Sequence, residues 1–358
     1  MRYIAPPHVH NTSTTTDPRI GVVLANLGTP DAPTYGALRR YLKEFLSDPR
    51  VIEAPRWFWL PLLNGIILQT RPGKSAQAYA KIWDKKADAS PLRVYTEAQA
   101  TGLQEQLNWA FPDQYIVRWG MRYGQPSIAA AVTALKESGC NKILLLPLYP
   151  QYAGATTASA CEAFFAALTQ WRWMPTPRVA SPFYDHPAYI DALKNSVTEH
   201  LGTLGWTPEK LLVSYHGIPQ SYFKQGDPYP CHCWKTSRLL AKALQAPPGY
   251  LETSFQSRFG PTQWVQPYTD ETLVRLAKEG VRKLAVLSPA FYSDCVETLE
   301  ELAIAGRETF LAAGGTDFTL IPCLNDTPES IDLLTRLVAE NTADWTTAWD
   351  TLETTRED

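Results

Sequence analysis

Short apolar runs alternate along the chain with longer segments that have the hydrophobic period of a helix. Eight such runs, rich in Val, Ile and Leu, are typical of buried parallel strands. They span residues 20–26, 115–121, 142–148, 178–181, 210–216, 250–255, 283–289 and 318–322. Because helix-periodic segments separate these runs, the pattern predicts βα units and parallel sheets.

A weak internal repeat divides the eight runs into two groups of four. "ALKESGCNKILLLPLYP" (134–150) parallels "RLAKEGVRKLAVLSPAFY" (275–292): a helix ends at a glycine, a lysine opens a strand, and a proline–aromatic turn follows. The repeat predicts two similar α/β lobes. We expect an unstructured arm (1–18), a first lobe (19–185), a second lobe (186–324), a C-terminal helix (325–341) and a polar tail (342–358).

The composition restricts the function classes. The 358 residues carry a net charge of −3, which gives no basic surface for nucleic acid. Six cysteines in a chain of this size without a secretion signal predict free thiols and a cytoplasmic location. No run of 18 apolar residues occurs, so no membrane span is expected. The apolar segment 54–71 is either core or a lip over a pocket that also makes peripheral contact with a membrane.

Ligands of parallel sheets bind beyond the carboxyl ends of the strands, so polar residues at those ends are candidates for chemistry. Arg122 and Tyr123 end the second predicted strand region, and Arg is the usual partner of carboxylates. His216 ends the fifth strand, directly before Gly217. An imidazole there could accept a proton or bind a metal, although a lone histidine is more often a core residue.

Three carboxylates follow the seventh strand, in "SDCVETLEEL" (293–302). Asp294, Glu297 and Glu301 recur at spacings of three and four, which places them on one side of a helix. One interpretation is a capping pair followed by a solvated helix face. The other is a line of acids along the cleft that relays protons or guides a hard cation.

The strand-end motifs occur in the same order as in ferrochelatases, and the chain resembles the proteobacterial members of that family over residues 19–340. The motifs are "LANLGTPDAP", "FLSDPRV", "SPLRVYT", "GMRYGQPSI", "LPLYPQY", "SYHGIPQSYFKQGDPYP", "TSFQSRFGPTQWVQPYTDET" and "SPAFYSDCVETLEEL". The resemblance implies two Rossmann-like lobes, each a four-stranded parallel sheet flanked by helices, with a porphyrin cleft between them. It also implies a lyase that inserts Fe²⁺ into protoporphyrin IX, the last step of protohaem synthesis.

The resemblance assigns roles to single residues. His216 matches the family's essential histidine, a metal ligand or an acceptor of a pyrrole proton, and Glu297 matches its partner carboxylate, also taken to bind iron. Asp294 and Glu301 match an acidic line on a helix that contains a π-turn. Arg122 is the candidate anchor for the porphyrin propionates. The other positions expected near the porphyrin are Leu27, Tyr123, Trp264 and Phe291.

Three positions distinguish the chain from other members of the family. Cys295 stands where animal members carry a histidine, which predicts a metal route built more on carboxylates. Gly154 stands where cluster-containing members place a cysteine, and no cysteine follows Cys323, so no [2Fe–2S] cluster is expected. Leu27 stands where coproporphyrin-using members have a tyrosine, which favours protoporphyrin.

Two alternatives remain open from the sequence. A cobalt or nickel chelatase for another tetrapyrrole would share the fold, and assays with protoporphyrin and sirohydrochlorin would separate the two activities. A porphyrin or haem carrier would bind the macrocycle without inserting iron.

Overall fold

The computed structural model describes residue 4 and residues 19–346, within which the strands form two four-stranded parallel sheets. The strands are Ile20–Gly28 (β1), Tyr115–Tyr123 (β2), Lys142–Pro147 (β3), Thr176–Val179 (β4), Lys210–His216 (β5), Leu251–Gln256 (β6), Lys283–Leu287 (β7) and Asp317–Leu320 (β8). The strand orders are β2-β1-β3-β4 and β6-β5-β7-β8. The predicted fold class, two similar lobes with four parallel strands each, is confirmed.

Helices flank both sheets. The α-helices are Tyr35–Ser47 (α1), Arg56–Leu62 (α2), Leu68–Ile82 (α3), Pro91–Ala110 (α4), Ile128–Glu137 (α5), Ser159–Leu168 (α6), Pro187–Gly202 (α7), Gln220–Lys224 (α8), Tyr229–Ala243 (α9), Thr269–Lys278 (α10), Arg307–Ala312 (α11) and Pro328–Thr342 (α12). π-Helices span Leu63–Ile67, Gly154–Ala158 and Glu297–Gly306, and a 3₁₀ turn spans Ala343–Trp345. A π-helix follows the third strand of both lobes, so the duplication extends to that helix.

The internal repeat corresponds to the same helix–strand unit in each lobe. α5 leads through Gly139 into β3, and α10 leads through Gly280 into β7. Both glycines have positive φ angles, 87° and 101°, which residues with a side chain rarely adopt. Each glycine therefore ends its helix and turns the chain into the third strand of the lobe.

The two lobes pack on a common hydrophobic cluster. It contains Leu24 and Leu144 of the first sheet, Val213 and Leu287 of the second, and Leu334 of α12. α12 packs against α4 of the first lobe and α7 of the second. Because both faces of each sheet are covered, β1, β3, β5 and β7 are buried along nearly their whole length and do not alternate.

The two predicted chain ends fall mostly outside the described residues. Of the arm 1–18 the structure describes Ile4, which pairs with Trp171. The polar tail predicted from 342 is structured up to 346, because Arg178 of β4 donates hydrogen bonds to the Asp344 carboxylate. Residues 347–358 lie outside the described part. No helix among the described residues has both the length and the hydropathy that a membrane span requires.

Candidate active site

His216 lies half-buried at the carboxyl end of β5. Its Nδ1 is 2.7 Å from the carbonyl oxygen of Gly217. Because a carbonyl oxygen can only accept, Nδ1 carries the proton and the neutral ring keeps its lone pair on Nε2. The ring centroids of Trp264 and Phe291 are each 6.4 Å from that of the imidazole. The structure thus brings three predicted site residues together and surrounds a base with aromatic rings.

The glycine after His216 is required by close packing. A Cβ on Gly217 would lie 2.9 Å from the main-chain oxygen of Gln256 and 3.0 Å from the indole of Trp264. The indole N–H donates to the carbonyl of Phe259 at 2.9 Å, which fixes the ring. The "HG" pair therefore allows Trp264 to lie directly against the strand end that carries the histidine.

Asp294 does not belong to the line of acids that the sequence predicts. The helix after β7 begins at Val296 and continues as the π-helix Glu297–Gly306, so Asp294 lies in the preceding turn. Asp294 is 4% exposed, and its carboxylate accepts hydrogen bonds from the Thr298 hydroxyl (2.8 Å) and the Asn325 amide (2.7 Å). The expected place of Asp294 on the helix face is therefore wrong, because it precedes the helix and anchors its start. Its part in relaying charge stays a prediction.

Glu301 is held beside the histidine by β6 and the turn that follows it. One carboxylate oxygen accepts from the Ser257 N–H (2.8 Å), and the other accepts from the Ser257 hydroxyl and the Gln256 amide (3.4 Å). Burial raises the pKa of Glu301, while the Ser257 hydrogen bond and His216 oppose the increase and Glu297 adds to it. The charges of His216, Glu297 and Glu301 therefore act on one another.

The charge of Glu297 acts on residues of the first lobe. Burial raises the pKa of Tyr79 in α3, and the charge of Glu297 raises it further. Burial lowers the pKa of Arg71, also in α3, and Glu297 opposes that decrease. Glu300 lies one turn after Glu297 in the π-helix, and its Oε1 is 2.8 Å from Nζ of Lys81 in α3. The π-helix Glu297–Gly306, called here the acidic π-helix, thus packs against α3 of the first lobe.

Arg122 and Tyr123 form a separate polar cluster. Arg122 is paired with Asp48 and donates to the main-chain oxygen (3.0 Å) and hydroxyl (2.6 Å) of Ser159. Tyr123 is fully buried, and its hydroxyl donates to Asp48 at 2.8 Å. The ring of Tyr123 lies in the core, so its expected contact with porphyrin gains no support from this position and stays a prediction. The guanidinium of Arg122 uses Nε and Nη2 for protein partners, and its expected role as a propionate anchor also stays a prediction.

The predicted apolar positions of the first lobe differ widely in exposure. Leu27 lies near the end of β1 between two hydrophobic clusters. The segment 54–71 divides into two halves. Its buried members are Trp59, Leu63 and Leu68. Its most exposed members are Trp57 (80%), Phe58 (54%) and Ile66 (58%).

Sequence reasoning missed Arg71, Ser257 and Gln256. Arg71 had a signal, since it is a cation at the end of an apolar segment. Ser257 and Gln256 had none, because their partner Glu301 is 44 and 45 residues away in the chain. Across the described residues, no three His, Cys, Asp or Glu side chains form a ready metal site. The metal role of His216 and Glu297 stays a prediction.

Two lobes of the same strand order, with a histidine and acids along the cleft, define a two-lobed chelatase fold. Solved structures agree on this class. SirB from Bacillus subtilis with Fe³⁺ is similar with a TM-score of 0.54 and 12% identity, over 91% of this chain and 96% of that one. The sirohydrochlorin chelatase SirB from Bacillus subtilis subspecies spizizenii in complex with cobalt has a TM-score of 0.51 and 10% identity, over 90% of this chain and 95% of that one. At this identity the likeness concerns the fold alone.

Sequence comparisons identify the family. The ferrochelatase family profile matches residues 19–342. The chain is 53% identical over 327 residues to the ferrochelatase of Rhizobium meliloti (strain 1021), covering 91% of this chain and 96% of the relative. It is also 53% identical to the ferrochelatase of Agrobacterium fabrum (strain C58), covering 91% of this chain and 94% of the relative. The chain belongs to the ferrochelatase family. The predicted family, with its lyase activity in haem synthesis, is confirmed.

The buried cluster around Asp48 gives a pH-dependent prediction for stability. Burial opposes ionisation of Asp48, but hydrogen bonds from Ser159, the Arg50 backbone and Tyr123, with the charge of Arg122, outweigh it and lower the pKa. A lowered pKa means that the stabilisation is present above the ordinary value of about 3.9 and is lost as pH falls through the folded value. We expect Asp48→Asn to reduce the free energy of unfolding at pH 7 by about 3 kcal/mol.

Urea unfolding followed by circular dichroism at several pH values measures this effect. The difference between wild type and Asp48→Asn should narrow as pH falls from about 5 to 3. Asp31→Asn is the control, since the pair of Asp31 with Arg40 is exposed and 3.6 Å long and should contribute under about 1 kcal/mol. A pH-independent difference, or one no larger than in the control, would contradict the assignment.

Proposed function

We propose that the chain inserts Fe²⁺ into protoporphyrin IX in the cleft between α3 and the acidic π-helix. His216, Glu297 and Glu301 are the proposed catalytic residues. The observation that carries the proposal is the place of the His216 imidazole, which bonds the Gly217 carbonyl through Nδ1 and lies near the rings of Trp264 and Phe291 and the charge of Glu301. An imidazole held by Nδ1–H presents its Nε2 lone pair when neutral, and with a carboxylate nearby it suits removal of a proton from a flat apolar ligand.

The reaction exchanges two protons for one metal ion. Two pyrrole N–H bonds break, and the four ring nitrogens bind Fe²⁺ to give protohaem. Nε2 of His216 accepts a pyrrole proton, because the Nδ1–H bond to Gly217 directs the lone pair to Nε2. Glu301 stabilises the imidazolium, and its raised pKa suits it to receive the proton next. Glu297, on the side of the first lobe, presents the metal.

The apolar lining supplies the binding energy that this chemistry needs. A planar porphyrin directs its nitrogen lone pairs into the ring plane, so a metal enters slowly. Buckling the ring exposes them, and the strain is drawn from contacts remote from the nitrogens. Leu27, Trp264 and Phe291 are the proposed contacts that bury the macrocycle.

Arg71 is proposed, beside Arg122, as a second anchor for the propionates. Its guanidinium lies 4.5 Å over the ring of Phe259, which belongs to the other lobe. Arg71 is half-buried, and no carboxylate among the described residues lies within ion-pair distance of it. A desolvated guanidinium without a paired acid suits a substrate carboxylate.

Substitution of the proposed catalytic residues tests the function. We expect His216→Ala and Glu297→Ala to slow insertion of Fe²⁺ or Zn²⁺ into protoporphyrin by at least about 100-fold, since each loses a proton-transfer or metal-binding group. Porphyrin binding, measured by fluorescence titration, should be retained. His200→Ala is the control. His200 is a half-buried histidine of α7, and its Nε2 is hydrogen-bonded to the Thr319 hydroxyl in β8.

Each alternative has its own outcome in the same assay. Normal rates in both His216→Ala and Glu297→Ala would refute the site assignment. Porphyrin binding by a wild type that never inserts metal would indicate a carrier. Insertion of cobalt or nickel into sirohydrochlorin, without activity on protoporphyrin, would indicate the other chelatase activity.

The proposal includes peripheral contact with a membrane through the exposed half of segment 54–71. Trp57 and Phe58 are large apolar side chains in α2 that lie mostly in water. We expect Trp57→Ser combined with Phe58→Ser to reduce co-sedimentation with phosphatidylglycerol-containing vesicles about tenfold. Trp109→Ser is the matched control, since Trp109 is 86% exposed on α4. Equal binding of wild type and the double variant would remove the membrane proposal.

The proposal also includes a cytoplasmic enzyme without an iron–sulfur cluster or a nucleic-acid partner. Supporting this, the position matched to a cysteine of cluster-containing members is Gly154, whose N–H donates to Asp227 at 2.8 Å. We expect purified protein to contain no acid-labile sulfide and to show no visible absorption without porphyrin. Stoichiometric sulfide with bound iron would overturn this part of the proposal.

A further inference from the structure

Gln256 joins the strand end that carries His216 to the acidic π-helix. It is the last residue of β6, lies opposite His216 in the parallel register, and is 4% exposed. Its Oε1 accepts from the hydroxyl of Ser214 in β5 at 2.7 Å. Its Nε2 donates to the main-chain oxygen of Glu297 at 2.9 Å and to Glu301 at 3.4 Å. One amide thus contacts both halves of the site.

The partners fix the orientation of this amide. The main-chain oxygen of Glu297 can only accept a hydrogen bond, so the atom that faces it must be the Nε2 donor. The opposite side needs an acceptor for Ser214, whose hydroxyl also lies 2.8 Å from Thr269. Thr269 is in turn 2.8 Å from the hydroxyl of Ser254. A buried chain of hydroxyls therefore holds the oxygen end of the amide and directs its nitrogen to the acids.

The first lobe contains the equivalent tether with different chemistry. Arg122 follows Met121 at the end of β2, and its Nε donates to the main-chain oxygen of Ser159 at the start of α6. Its charge is balanced there by the buried Asp48. A guanidinium in place of Gln256 would neutralise Glu301. A neutral donor holds the acids in position and leaves their charge available.

We propose that Gln256 is a positioning residue that sets Glu297 and Glu301 relative to His216 during metal insertion. This inference rests on the catalytic roles given above under the proposed function. Its side chain is buried behind the acids and does not touch the substrate. Loss of its two-sided hydrogen bonding displaces the acids, and displacements of about 1 Å at a reacting centre cost up to about 100-fold in rate.

The test compares turnover with substrate affinity in Gln256→Met, which keeps the size of the side chain and removes its hydrogen bonds. With Zn²⁺ and protoporphyrin as substrates, we expect kcat to fall about 10- to 100-fold and KM for porphyrin to stay within about twofold. Gln256→Glu keeps the acceptor for Ser214 but opposes the acids, so kcat should fall at least as far. Ser214→Ala removes only the hydrogen bond that the Oε1 of Gln256 accepts, so kcat should fall about threefold.

Gln151→Met is the matched control. Gln151 is 1% exposed and donates to Thr236 at 3.2 Å, away from the acids. Its kcat should stay within about twofold of wild type. An equal loss of kcat in this control, or a rise in KM at unchanged kcat in Gln256→Met, would overturn the inference. If Gln256→Met does not fold, an unchanged kcat in both Ser214→Ala and Gln256→Glu would overturn it equally.

The same measurements keep this inference separate from the proposed function. Metal insertion by wild type and its loss in His216→Ala test the function. The ratio of kcat between Gln256→Met and wild type tests the positioning role alone. A wild type that inserts metal, with a Gln256→Met variant that inserts it equally fast, would leave the function standing and remove the inference.

Discussion

The partial burial of Glu301 beside His216 is the constraint on which the rest of the site depends. A carboxylate removed from water is stable as an anion only when it is hydrogen-bonded. Ser257 supplies two of the donors, from its N–H and its hydroxyl. It does so with a φ of 65°, a left-handed conformation that is costly for serine. The strained turn after β6 thus holds the Glu301 carboxylate near the His216 imidazole.

The duplicated architecture explains how one scaffold carries both a structural and a chemical cluster. In each lobe, a residue at the end of the second strand bonds the helical segment that follows the third strand. In the first lobe the cation Arg122 meets the buried Asp48, so the charges cancel and the cluster stabilises the fold. In the second lobe the neutral Gln256 bonds the main chain of Glu297 and the carboxylate of Glu301 and brings no countercharge of its own. The proposed site therefore keeps acids whose charges act on His216 and Arg71 instead of being cancelled by a paired cation on β6.

The sequence predicted the strands and the residues at their ends, but not how side chains pair across the fold. His216 was found because parallel strands present their carboxyl ends to a ligand. Asp294 was misplaced because spacings of three and four cannot show that the helix begins at Val296. The burial of Tyr123 was not predicted because its partner Asp48 is 75 residues away. Such contacts are set by tertiary packing, which single-sequence patterns do not encode.

α3 of the first lobe packs directly against the acidic π-helix of the second lobe. α3 begins with Leu68 in the core and carries Arg71, and its last turn bonds the acidic π-helix through Lys81. The exposed apolar side chains of α2 precede it in the same continuous helical segment. One continuous helical segment therefore carries both the side chains proposed to contact a membrane and the contacts to the acidic π-helix. A ligand that bonds both Arg71 and Glu297, as proposed, would be held between two elements that are already joined to each other.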